Sequence, residues 1–411
     1  MKKLRNLMVI VLYISLSGCS SDDRLGNSSP VFDLLSSTNA KQGVDTEPML
    51  EWIAATDADG DKIVYDIYLD DEDGTTLVQS NIDGLFHKID ERLLPLHHYY
   101  WKVVAKDGKG AETAGPIFEF ITRDFNAIVD LGSVSGFSER VYHSAEYFKD
   151  NIYVLGGYNY DNNDYVGTTV LQSSNAQNWA FAEQLDAFSP RYVHASAVFN
   201  NKLWVFGGQD ATGFKHDVWS SEDGIQWTKE KEHATFSERR NHKVIEFDGL
   251  LWLIGGEGQN MNNIVWNSED GINWFPVNTN YGGATRSHVL LVFDGKLWSV
   301  GGYSLGDATQ LWYTEDGYNW TQVSDPSLFS YRFDHSAIVF DNRIWVIGGS
   351  ISGQNDQIYS SADGIHWELN QDASDDFQPG FFGFTAIPWD NSIYLIGGYA
   401  GSNSTTIKLL Q

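Results

Sequence analysis

The sequence predicts an all-β chain, with a small β-sandwich followed by six four-stranded units closed into a ring. Three observations carry this reading. The 411 residues include 15 Trp, 20 Tyr, 23 Phe and 39 Gly, a composition that favours strands and tight turns over helices. Between residues 31 and 123, strand-like runs alternate with turn clusters at the spacing of a sandwich. From residue 124 onward, a Gly-Gly pair closes an apolar run at 156–157, 207–208, 255–256, 301–302, 348–349 and 397–398, at intervals of 51, 48, 46, 47 and 49 residues.

The N-terminus reads as a targeting segment. Lys2, Lys3 and Arg5 precede an apolar stretch at 7–16, which is too short to span a bilayer but fits a secretory signal. The stretch ends in Leu16-Ser17-Gly18-Cys19, which contains the chain's one cysteine. This resembles the bacterial lipobox, and the resemblance implies cleavage after residue 18, acylation of Cys19 and membrane anchoring. An outer-membrane lipoprotein, facing the cell surface or the periplasm, is the expected location. Residues 19–30 read as a polar tether. The full chain carries 27 basic and 55 acidic residues, a net −28, and loss of residues 1–18 would leave 24 basic against 55 acidic. Such a surplus opposes phosphate binding and argues against nucleic acid as a partner. One cysteine also excludes intrachain disulfides and thiolate metal sites.

In the sandwich segment, Trp52 follows Met49-Leu50-Glu51, and Leu93-Leu94-Pro95-Leu96-His97-His98-Tyr99 leads into the alternating residues Tyr99, Trp101, Val103 and Ala105. The core Trp and the Leu-x-Pro-x-x-x-Tyr corner resemble a fibronectin type III domain, expected over residues 31–123. Asp57, Asp59 and Asp61 form an acidic turn whose carboxylates suit calcium. The spacing is not that of an EF-hand, however, and a solvated turn is the expectation, with no metal and no cofactor.

Each later unit can be rebuilt from its chemistry. A first strand such as His194-Ala195-Ser196-Ala197-Val198-Phe199 has small residues for a crowded axis, and a tight turn follows at Asn200-Asn201 or Asp248-Gly249. The second strand, such as Leu203-Trp204-Val205-Phe206, is apolar throughout and so buried on both faces. A hairpin motif, Ser221-Glu222-Asp223-Gly224-Ile225-Gln226-Trp227, recurs at 268–274, 314–320 and 361–367. Its Asp-Gly pair suggests a type I′ turn. Paired glycines at this period resemble kelch repeats, which implies a six-bladed kelch-type β-propeller over residues 124–411. The hairpin resembles the Asp-box of sialidase-like propellers, where it is structural. The sixth repeat lacks this hairpin, so the strand at 127–131 is expected to serve as its fourth.

Candidate site residues come from a second signature, Arg-x-x-His at Arg140, Arg191, Arg239 and Arg332, with Arg286 slipped by one position. These arginines are expected to ring one mouth of the channel beside Tyr142, Tyr192 and Phe333. Guanidinium forks match carboxylates, and aromatic faces stack on sugar rings. The alternative is that Arg and His recur as inter-blade fasteners. The loops at 158–165 and 257–263 break the symmetry and read as ligand-contacting.

The copper chemistry of galactose oxidase, another kelch protein, needs a Cys cross-linked to a Tyr in the propeller and is excluded by the position of Cys19. The expected role is a lipid-anchored binding protein for a carbohydrate, notably an acidic one, or for a protein. The alternative is an enzyme similar to the kelch-type sialic-acid epimerases and mutarotases, with Glu257 as acid–base. No paired-carboxylate or nucleophile set stands out.

Overall fold

The computed structural model describes residues 27–32, 41–125, 127–133, 136–166, 170–182, 187–258, 265–283, 286–303, 309–324, 329–350, 357–370, 381–389, 391–399, 401 and 406–410. All regular structure among them is β. The chain divides into two compact units, one of residues 1–39, 49–87 and 99–119 and one of residues 40–48, 88–98 and 120–411. Cys19 and the signal segment lie outside the described residues, as do 259–263 of the second candidate loop.

The first unit is built on antiparallel strands. Val64–Asp70 pairs with Leu77–Ile82 on one side and with His98–Lys106 on the other. Alternation in these strands turns Tyr65, Ile67, Trp101 and Val103 inward, where all are buried. Trp52 packs edge-on against Tyr65, with ring centroids 5.5 Å apart. It therefore occupies the core position its sequence context suggested.

The second unit is a six-bladed propeller. In blade two the strands run from the axis outward as Ala195–Phe199, Lys202–Asp210, Gly213–Ser221 and Trp227–Lys231. Blade six is assembled from both ends of the propeller. Ile128–Ser133 pairs antiparallel with Thr406–Leu410, placing Ile128 opposite Leu410 and Asp130 opposite Lys408. The core consists of apolar layers between neighbouring blades, such as Trp204, Phe206, Val244, Leu253 and Trp274 between blades two and three.

The two recurrent turns differ in kind. Inner hairpins are type I′, with both central residues at positive φ, as at Asp248 (51°) and Gly249 (75°). In the outer hairpin only the glycine takes positive φ, which corrects the type I′ expectation there. The aspartate instead organises the loop through its side chain. Asp316 Oδ1 accepts the N–H groups of Tyr318 and Asn319 at 2.8 Å each, and Thr314 Oγ1 accepts that of Gly317 at 2.9 Å. A Cβ on Gly317 would lie 2.2 Å from the Trp252 ring. Glycine is needed there because the hairpin seats on the neighbouring blade's tryptophan.

At the axis, each inner strand begins with a residue in the left-handed region. Tyr142, Val193, Asn241, Ser287 and Asp334 have φ of 54°, 48°, 58°, 54° and 55°, and Gly383 completes the set. Their backbones form a belt. Tyr142 N–H donates to Gly383 O (2.8 Å), Val193 N–H to Tyr142 O (3.0 Å), and Asn241 N–H to Val193 O (2.9 Å). Gly383 N–H donates to Asp334 O (3.1 Å) and Asp334 N–H to Ser287 O (3.4 Å). A β-branched valine at positive φ is strained, and these blade-to-blade bonds oppose that strain.

Candidate functional site

Position along the inner strand decides which arginines can meet a ligand. Arg140, Arg191, Arg239 and Arg332 are at most 1% exposed. In each, Nη1 donates to the carbonyl of the first paired glycine of its own blade, as from Arg239 to Gly255 at 3.0 Å. Nε and Nη2 of Arg239 reach Ser237 O and Oγ, both at 3.1 Å. Arg191 adds a bidentate pair with Asp217 at 2.7 and 2.9 Å. Burial pulls the guanidinium of Arg140 down to about 9 and those of Arg239 and Arg332 to about 10, so all three stay charged at neutral pH. These four arginines do not ring the mouth. They fasten the Gly-Gly end of the second strand to the start of the first.

The histidines are also buried and do not face the mouth; their rings pack against the first paired glycine of the preceding blade, as His242 does against Gly207 and His335 against Gly301. His194 and His335 are buried at 4% and 5% exposure, and His242 and His288 at 0%. Burial, aided by nearby arginines, holds His143 and His194 near 3 and His242 and His335 well below their ordinary value. Each ring is therefore neutral. An added Cβ on Gly301 would lie 2.4 Å from the His335 ring, so the first paired glycine is required partly by the next blade's imidazole.

The residue after the structural arginine behaves differently. Val141, Tyr192, Arg286, Phe333 and Phe382 each bridge to the residue two past their blade's first paired glycine, and Arg240 pairs with Glu257 in the same way. Arg286 is thus the equivalent of Arg240 and Tyr192, not of Arg239. The histidine spacing shows why, since His288 lies 13 residues before Gly301 just as His242 lies 13 before Gly255. The fourth repeat has not slipped; its sequence has Thr285 at the position of the structural arginine and an arginine, Arg286, at the cup-lining position after it.

These positions build a cup of about 260 Å³ lined by Tyr142, Tyr160, Tyr192, Val193, Arg240, Asn241, Arg286, Ser287, Tyr303, Phe333 and Asp334. Arg240, Asn241, Tyr303 and Asp334, which line this cup, and Gln209, bonded to Arg240, are residues that the Arg-x-x-His pattern does not mark. Two guanidiniums from adjacent blades converge on one carboxylate. Arg240 Nε donates to Glu257 Oε1 at 2.6 Å, and Arg286 Nη1 donates to Oε2. Asn241 Nδ2 adds a bond to Oε1 at 3.1 Å. Arg240 Nη1 also reaches Gln209 Oε1 and, at 3.4 Å, the Tyr192 hydroxyl. Arg286 lies over the Tyr303 ring with its guanidinium carbon 4.4 Å from the centroid, and Arg240 lies over Phe214 at 4.9 Å.

Electrostatically the cup is a cationic spot in an acidic chain. Burial raises the Glu257 carboxyl, but the bonds from Arg286 and Arg240 prevail and hold it below its usual range. It is therefore ionised, with its oxygens engaged. Asp334 is pushed up by burial, opposed by hydrogen bonds from Ser287 and Tyr142, and the Tyr142 hydroxyl donates to its Oδ2 at 3.0 Å. One carboxylate thus faces two guanidiniums, beside a second carboxyl inclined to be neutral. A ring of aromatics surrounds them, with Tyr192 4.9 Å from Tyr158 and 6.3 Å from Tyr142, and Phe333 6.1 Å from Tyr303.

In the first unit, ligand atoms of Asp57, Asp59 and Asp61 lie within 4.8 Å of one another. Asp57 Oδ1 already accepts the N–H groups of Asp59 (2.9 Å) and Asp61 (3.1 Å), and Lys109 Nζ lies 2.6 Å from Asp61. The cluster is organised as a turn by the chain's own donors.

The fold is a β-propeller, and its repeats match family models of kelch-type and other β-propeller domains. Residues 130–302 match the KLHDC2/KLHL20/DRC7 Kelch-repeats domain, and residues 296–408 match the DUF6242 β-propeller domain. Kelch propellers commonly bind proteins or other ligands. Alpha-scruin of Limulus polyphemus is 32% identical over 99 residues, covering 22% of this chain and 11% of that protein. The Leucine-zipper-like transcriptional regulator 1 homolog of Drosophila melanogaster is 28% identical over 89 residues, covering 20% and 9%. The chain thus spans about a tenth of either relative. The solved structure of YjhT superposes with a TM-score of 0.54 at 16% identity, over 67% of this chain and 95% of that one, a likeness of fold.

Proposed function

We propose that the chain is an envelope lipoprotein, anchored through Cys19, whose fibronectin-like sandwich carries a kelch propeller that binds acidic glycans. The observation that carries the ligand class is the convergence of Arg240 and Arg286 on Glu257 within an aromatic wall. A sugar carboxylate entering the cup meets two guanidiniums that share only one carboxylate. Its ring has tyrosine faces to stack on. The volume of about 260 Å³ falls just under the range of about 300–1,000 Å³ for drug-sized ligands, which suits one terminal sugar better than a protein loop.

A glycan array probed with the soluble chain from residue 27 tests this reading. Binding restricted to carboxylated sugars and lost in Arg286→Ala supports it. A folded protein that ignores every acidic glycan would overturn it in favour of a protein partner. Anchoring has its own readout, since a clickable fatty-acid label should enter the wild type and not Cys19→Ala.

A second reading, an epimerase or mutarotase acting on sialic acid, is favoured by the placement of Glu257 between two arginines. The same arginines keep that carboxyl ionised, which suits a base but not a proton donor at neutral pH. NMR of sialic-acid anomers separates the readings, because accelerated interconversion that is lost in Glu257→Gln would establish the enzyme.

A further inference from the structure

Below the cup, the belt residues Tyr142, Val193, Asn241, Ser287 and Asp334 also form the upper wall of a second cavity of about 240 Å³. It runs down the axis between the innermost strands of all six blades. The residue following the inner-strand histidine, or its Phe384 equivalent, lines it in every blade as Ser144, Ala195, Lys243, Val289, Ser336 and Thr385. Five blades close the channel with a small or uncharged side chain. Blade three alone supplies an ammonium, so the repeat does not need one for packing.

Lys243 makes no hydrogen bond or ion pair with any described residue. Two carboxyls face it, and both are engaged elsewhere. Glu146 accepts from Ser196 Oγ at 2.7 Å, and Asp334 accepts from the Tyr142 hydroxyl at 3.0 Å. The other titratable groups of the wall are the inner-strand imidazoles, which are held neutral by burial. Burial also lowers Lys243 and raises Glu146 to about 7, so the carboxyls compensate the ammonium only in part. An ammonium that lines a narrow channel with no hydrogen-bond partner on the wall leaves its donors free for a bound anion.

We infer that the axial channel is a second binding site, which takes a small oxyanion on the ammonium of Lys243. Carboxylate and phosphate share the required chemistry, with oxygens for the ammonium and for the hydroxyl-bearing wall. The cup is the route in, since the two cavities share their boundary residues.

The test is a titration of the soluble chain with sodium acetate, inorganic phosphate and sodium chloride, read on the side-chain ¹⁵N resonance of Lys243 and on the ¹³C line of labelled acetate. The expected result is a saturable shift with acetate, phosphate or both, and not with chloride; which of the two saturates names the source. Arg240→Ala should keep this binding, because it empties the cup and not the channel. Lys243→Met should weaken it by at least about tenfold, as loss of a charge-assisted hydrogen bond does, and Lys243→Arg should restore most of it. If Lys243→Met fails to fold, the wild-type resonance still reports the site directly. No saturation with either oxyanion, or an equal response to chloride as an adventitious ion only, would overturn the inference.

Discussion

Arg239 and Arg240 are sequence neighbours with opposite assignments, which makes them the sharpest pair to perturb. Arg239→Ala removes three bonds made inside blade three, leaving the carbonyls of Gly255 and Ser237 without their donor. A buried polar group stripped of its partner costs about 1–3 kcal/mol, and the vacated stem leaves a cavity with a cost of its own. A loss of about 4 kcal/mol follows, which in a domain this large lowers Tm by about 7 °C. Arg239→Lys should recover little of this, because an ammonium cannot span the three acceptors of the fork. Arg240→Ala removes an ion pair to Glu257 whose partners are each about a quarter exposed and should change stability by only about 1 kcal/mol, while abolishing binding of acidic glycans. Calorimetry on both variants and glycan binding on the folded fraction provide the assay. A stable Arg239→Ala, or an Arg240→Ala that unfolds but still binds when folded, would refute the division of labour along the inner strand.

Three further outcomes are expected. Stability should fall as pH drops from about 6.5 towards 3. The depressed pKa values of His143, His194 and His288, near 3, mean that the unfolded chain takes protons the folded one refuses. Glu146, raised to about 7, acts in the opposite sense between pH 7 and 4.5 but is outnumbered. Guanidinium melts at pH 7, 6 and 5 check this, and a midpoint that does not fall with pH would contradict it. Gly317→Val should destabilise by more than about 2 kcal/mol, because its Cβ would enter the Trp252 ring and valine resists positive φ; near-UV circular dichroism of the buried tryptophans should change with it. Truncation before residue 406 removes Ile407 and Leu410, both fully buried, and leaves Ile128–Ser133 unpaired. The truncated chain should lose cooperative unfolding or aggregate in a size-exclusion assay.

The architecture was legible because its signals are local and repeated. The Gly-Gly interval counted the blades, and the missing sixth hairpin pointed to closure by the strand near 128. The site was legible only in part. The four arginines of Arg-x-x-His were visible because they recur, and they recur because four of the six blades use the same bonds to their own glycine carbonyl. Cup-lining residues such as Tyr192, Arg240, Arg286 and Phe333 lie one position later and vary from blade to blade, so no pattern marked Arg240 or Tyr303. Arg286 looked displaced because the alignment followed arginine; following the histidines, 13 residues before each glycine pair, puts it beside Arg240. The turn at Asp316-Gly317 was misjudged for a similar reason. The dipeptide suggests a backbone solution, while the structure uses the aspartate side chain. Lys243 carried no signal at all, since a single lysine on a strand reveals nothing of the channel it faces.

Closure of the ring joins residues 278 positions apart, as in the bond from Lys408 to Asp130. Joining residues so far apart in sequence carries a large loop-closure entropy unless the blades between are already formed, so closure is expected late in folding. Until then the open form presents two unpaired strand edges, which makes it the species most exposed to mispairing with another copy. A circular permutant of the propeller, with the first unit removed, that opens the chain between blades three and four and joins the Thr406–Leu410 strand to Ile128–Ser133 by a short turn would turn this contact into a hairpin. It should fold faster than the natural order while leaving the cup and the channel unchanged.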